Sequence, residues 1–134
     1  MKKLLILITF YLLNQFNTTV CGQTTLNTDS LICQEWKLNF YEADGEKFPP
    51  ADDQRNNKMI FYNDRKVKSI ESDKIQNGVW KYNPTGKILT VTDNSTNEIS
   101  KLKIISISLK ELILEFKDPE GTILKMYLEA ISKK

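Results

Sequence analysis

Hydrophobic and polar residues alternate along most of this chain. In "ELILEFK" the side chains of Leu112, Leu114 and Phe116 share one parity, and Glu111, Glu115 and Lys117 take the other. In "TILKMYLEA" the same alternation sets Leu124, Met126, Leu128 and Ala130 against Lys125 and Glu129. Near the start, "EWKLNFY" places Trp36, Leu38 and Phe40 at every second position. Period-two alternation predicts strands with one dry and one wet face, as in antiparallel sheets built around one core.

Turn signals cut the alternation into short pieces. "KMIFY", "VKSIES", "GVWKY", "KILTVT", "EISKLKIISIS", "ELILEF" and "TILKMYLEA" are separated by "NDRK", "NPTG", "DNSTN" and "DPEG". Pro presets the backbone of a turn, while Gly and Asn tolerate positive φ. The parity slips between Ile104 and Ile105, which predicts a bulge of the kind that lets a sheet curl. Helix is expected only as one short turn before Cys33. The stretch "EADGEKFPPADDQRNN", residues 42–57, has no apolar period and reads as a long loop. About eight strands in a meander predict an all-β, antiparallel up-and-down barrel, because closure removes both exposed edges.

The first residues, "MKKLLILITFYLLNQFNTTVCGQ", fit a secretory signal: two lysines, an apolar run from Leu4 to Leu13, then small and polar residues. The run is shorter than the roughly 20 residues a membrane-spanning helix needs. Val20 and Gly22 occupy the small-residue positions of a cleavage site, so residues 1–22 are assigned to the leader and residues 23–134 to the barrel domain. The expected address is secreted or periplasmic. The alternative is a lipid anchor at Cys21, which would attach the protein to the outer membrane. Lipidation signals want a leucine-like residue three positions before the cysteine and a small one just before it; here Thr18, Thr19 and Val20 precede it.

Removing the leader changes the charge. The chain has 19 Lys plus Arg and 17 Asp plus Glu, and without Lys2 and Lys3 the basic count also becomes 17. A neutral domain without a basic patch is a poor partner for nucleic acid. The sequence contains 0 His, which excludes Ser/His/Asp and Cys/His nucleophilic pairs and the usual zinc sites. With Cys21 cleaved or lipidated, Cys33 stands alone, so an intramolecular disulfide is not expected. "DNSTNE" lines up oxygen ligands, but an EF-hand counted from Asp93 would need Gly and Glu where Glu98 and Ile104 stand. It reads as a hairpin turn, and neither metal nor cofactor is expected. The acids Glu42, Asp44, Asp52 and Asp53 lie in the long loop without a cleft to hold them, so an enzyme is not expected.

"LICQEWKL", "MIFYNDRK", "NGVWKY", "KILTVT", "SLKELILEF" and "ILKMYLEA" together resemble the layout of small lipocalin-like proteins exported by Bacteroidetes-type bacteria. The resemblance spans roughly Leu31 to Ala130 and implies a lipocalin-type barrel, whose relatives often hold small apolar molecules in the barrel mouth. Two features depart from that pattern: Gln34 stands where the first-strand Gly-x-Trp motif has Gly, and no arginine near the chain end can pack over Trp36. Arg55 and Arg65 both fall in turns or loops.

The residues expected to line the barrel are Trp36, Leu38, Phe40, Phe61, Trp80, Tyr82, Leu114, Phe116 and Met126. In one reading they fill the interior, and the protein is an interaction or envelope accessory module that meets a protein partner through loop 42–57. In the other, the layer around Trp36 closes the bottom and the upper layer leaves a cleft for an apolar ligand, with Tyr41 or Tyr82 offering a hydroxyl.

Overall fold

The computed structural model describes residues 27–131. The leader and the cleavage or lipidation of Cys21 lie outside the described residues. The elements run α1 (Thr28–Ile32), β1 (Glu35–Ala43), β2 (Glu46–Phe48), β3 (Lys58–Phe61), β4 (Lys66–Glu71), β5 (Lys74–Asn83), β6 (Ile88–Asp93), β7 (Ile99–Ile107), β8 (Glu111–Lys117) and β9 (Ile123–Ala130). Strands β3 to β9 pair in sequence order, all antiparallel; β1 pairs with β3 on one side and β9 on the other. That second pairing closes an eight-stranded barrel, to which β2 is the one added strand among the described residues. No helix among the described residues is long and apolar enough to cross a membrane.

Alternation places the core as expected. Val67, Trp80, Leu89, Leu102, Leu112, Leu114 and Leu128 are buried, each from a strand whose outward residues are polar or partly exposed. The anticipated slip in β7 is present: Ile104 pairs with Leu114, but Ser106 pairs with Ile113. The extra residue there turns Ile105 outward and brings Ile107 against the core.

A second slip, in β1, was not anticipated, and it corrects the placement of Phe40. Leu38 pairs with Leu128 and Phe40 with Tyr127, so register shifts by one residue at Asn39. Phe40 therefore points outward, where its ring stacks on Tyr127 at 4.3 Å and the Lys47 ammonium lies 4.8 Å from its centroid. Tyr41 takes the inward position instead and packs against the core. Phe40 and Tyr41 are both bulky aromatics that could fill an inward place, so composition could not say which one the chain would turn in.

The loop 42–57 also needs correction, because part of it is ordered by hydrogen bonds. β2 folds back on β1, with Tyr41 opposite Phe48, and Asp52–Gln54 form one 3-10 turn. The segment serves as a patch: β3 reaches β1 only at Glu35, Trp36 and Lys37, while β2 takes the upper part of the same edge.

Gly78 marks a close approach of two strands. A Cβ built there would lie 2.3 Å from the Thr92 carbonyl oxygen on β6, a backbone atom that cannot swing aside. Gly78→Ala is expected to cost about 1–3 kcal/mol by overpacking. Urea unfolding of the two proteins measures this, and a cost under about 0.5 kcal/mol would show that the wall yields freely.

Candidate functional site

The two ends of the barrel differ. At one end α1 acts as a stopper. Asn27 caps it by accepting a hydrogen bond from the Ser30 amide at 2.8 Å, and Ile32 is fully buried. The Trp36 indole N–H donates to the Ile32 carbonyl at 3.0 Å, which ties the stopper to β1. Beside it Phe61 meets Trp80 edge to face at 5.8 Å, and the Trp80 indole donates to the Tyr62 carbonyl at 3.0 Å. Both buried indole N–H groups thus have acceptors, as their burial requires.

Arg65 completes this end. Its backbone has φ 70°, its guanidinium carbon lies 4.4 Å from the centre of the Trp80 ring, and its Nη2 donates to Asp29 of α1 at 2.6 Å. An arginine from a mid-chain turn therefore does pack over a tryptophan, but over Trp80 rather than Trp36. Flat stacking of a guanidinium on an indole is favourable, and it leaves the N–H groups free to pair with a carboxylate.

Cys33 is half-buried next to this clamp. Burial pushes its thiol above the ordinary value; the Arg65 charge opposes that shift and Asp29 adds to it. The thiolate is the reactive form. In a Cys21→Ser protein, Cys33 should therefore react with a thiol reagent at neutral pH at least about tenfold more slowly than in denaturant. Equal rates would show that Cys33 is open and unshifted.

At the other end the interior is hollow. A cavity of about 390 Å³ opens there, bounded below by Met59, Val67, Val91, Leu102, Phe116 and Met126. A recess of about 50 Å³ adjoins it, lined in part by Leu38, Tyr41, Asn57, Lys58 and Met126, and so lies at the seam where β2 replaces β3 as the partner of β1. The main cavity falls within the range of small-molecule sites, roughly 300–1,000 Å³.

The strands grade from apolar to polar toward the mouth. On β4 the inward series is Val67, Ser69, Glu71; on β6 it is Leu89, Val91, Asp93; on β7, read toward the mouth, it is Ile104, Leu102, Ser100, with Glu98 just beyond. All but Leu89 and Ile104, which lie deeper, line the cavity. Tyr41 brings a phenol to it. Burial, and then the nearby Glu71 carboxylate, push that phenol above its ordinary value, so it is a neutral donor at physiological pH. Asp93 is held below the carboxylate range, first by the Ser95 hydroxyl and then by the Thr96 and Ser95 amides, which it accepts at 2.6, 3.0 and 2.7 Å. The "DNSTN" segment is thus a hairpin turn organised by its first residue.

The nine expected lining residues divide accordingly. Phe116 and Met126 line the cavity and Leu38 the recess. Trp36, Phe61, Trp80 and Leu114 are buried in the filled end, Tyr82 packs against that core, and Phe40 is outside. One end of the interior is thus packed and the other open. The polar lining was missed because Ser69, Glu71, Ser100 and Glu98 looked like ordinary strand-end residues, although the repeated inward grade on neighbouring strands was there to be read.

The sequence matches no protein-family model, and no curated protein matches it. Among solved structures, the crystal structure of a lipocalin-like protein from Bacteroides uniformis ATCC 8492 is similar, with a TM-score of 0.56 and 14% identity over 75% of this chain and 99% of that one. At such identity the likeness is one of fold. With its closed eight-stranded antiparallel barrel, stopped at one end by a helix and open at the other, this chain has a lipocalin-like fold.

Proposed function

We propose that this protein binds a small, mainly apolar molecule in the open end of its barrel, outside the cytoplasm and without catalysing a reaction. The observation that carries this is the cavity itself: about 390 Å³ with an apolar lower wall, one buried-edge phenol and a polar mouth, standing on a packed base. A barrel working only through its loops has no need of a hollow, whereas a binding protein needs a preformed one with a few polar groups to orient its guest. The leader-like first residues support export, and the 0 His content supports binding over acid-base chemistry. The fold likeness adds only that such barrels are suited to binding.

Native mass spectrometry of the protein isolated from its own host should show a retained small-molecule mass. Titration with the neutral probe N-phenyl-1-naphthylamine should raise probe fluorescence and the melting temperature together, since a ligand that binds only the native state stabilises it. Failure of both measurements would sink the proposal.

A further inference from the structure

The mouth of the cavity has a charge sign. Three carboxylates line it, Glu71 at the end of β4, Asp93 at the end of β6 and Glu98 at the start of the approach to β7, with the amide of Gln76 on β5 between the first two. No Lys or Arg among the described residues lines it, although the chain carries 19 of them. Lys58, at the edge of the adjoining recess, is already paired with Glu35 at 2.6 Å. The remaining polar lining supplies hydroxyls from Tyr41, Ser69, Thr96 and Ser100 and the amide of Asn77, groups that accept as well as donate.

Resting on the binding function proposed above, we infer that the guest is a cationic amphiphile: an apolar body seated on Val67, Val91, Phe116 and Met126, with an ammonium head held at the Glu71, Asp93 and Glu98 mouth. An anionic head such as a fatty-acid carboxylate would meet like charge from three sides and find no basic partner. A protonated amine has three N–H donors and meets acceptors all round. The low-dielectric wall below the mouth strengthens that attraction, and the field of the acids steers cations to the opening.

The test uses three compounds with one decyl chain and different heads: decylamine, decanol and decanoate, each titrated calorimetrically into the full protein at neutral pH. Decylamine should bind at least about tenfold more tightly than decanoate, with decanol between them, and its advantage should shrink as salt rises. In the Glu71→Gln/Glu98→Gln protein, shown by circular dichroism to be folded, the ratio of decylamine to decanoate affinity should fall by about fivefold or more. Equal or tighter binding of decanoate, or an unchanged ratio in the double variant, overturns the cationic assignment while leaving a neutral carrier intact. If none of the three binds while N-phenyl-1-naphthylamine does, the cationic assignment falls and the carrier function stands; if that probe and native mass spectrometry fail as well, both fall.

Discussion

Trp36→Ala lowers the unfolding free energy by about 3–5 kcal/mol, the range for truncating a buried tryptophan. Trp36 is fully buried, and its indole N–H, beside the Arg65 bond to Asp29, ties α1 to the barrel through the Ile32 carbonyl. Truncation leaves a hole among Ile32 and its neighbours and loosens the stopper, which then keeps its Arg65 tie through Asp29. In a domain of this size each kcal/mol moves the melting temperature by about 4 °C or more, so thermal melts are enough to see it. Trp36→Phe keeps most of the volume but loses the donor; the Ile32 carbonyl still accepts the Gln34 amide at 2.7 Å, so the change should cost distinctly less, about 1–2 kcal/mol for one lost hydrogen bond and a smaller ring. A cost under about 1 kcal/mol for Trp36→Ala would mean that the closed end is not a packed core.

Val91→Trp separates binding from stability. Val91 stands across from Trp80 on the neighbouring strand, half-buried, where the packed base gives way to the hollow. An indole at this position projects into the cavity and takes the place of a guest. Affinity for N-phenyl-1-naphthylamine should fall by at least about a hundredfold, equivalent to about 2.8 kcal/mol. The melting temperature should stay or rise, because the new apolar surface enters existing empty space rather than displacing packed atoms. Unchanged probe binding in a folded Val91→Trp protein would place the binding site elsewhere. The opposite pairing of effects in Trp36→Ala, with stability lost first, is what a filled end and a hollow end predict.

Much of the fold was legible in the chain. Alternation in Leu112, Leu114 and Phe116 and in Met126 and Leu128 named one face of two strands correctly, and the parity slip at Ile104 and Ile105 named a bulge. These are local consequences of a side-chain period of two, so neighbouring residues suffice to read them. Phe40 shows where that stops. Its parity is right until Asn39 is counted, and a one-residue shift sends every later side chain to the other face. Arg65 shows the same in another form: a turn residue 15 positions before Trp80 in sequence stacks on its ring because two strands bring them together.

From the residues alone came an antiparallel barrel with one apolar lining, because each strand must hide its own dry face. Whether that lining met in the middle was a different question. How far side chains from opposite walls reach depends on the β1–β9 closure, on α1 stopping one end and on β2 taking the upper edge of β1, none of which the alternation within single strands reveals. Tertiary structure alone therefore decided that Trp36 and Trp80 are packing while Phe116 and Met126 border a cavity, and that Glu71, Asp93 and Glu98 share one mouth.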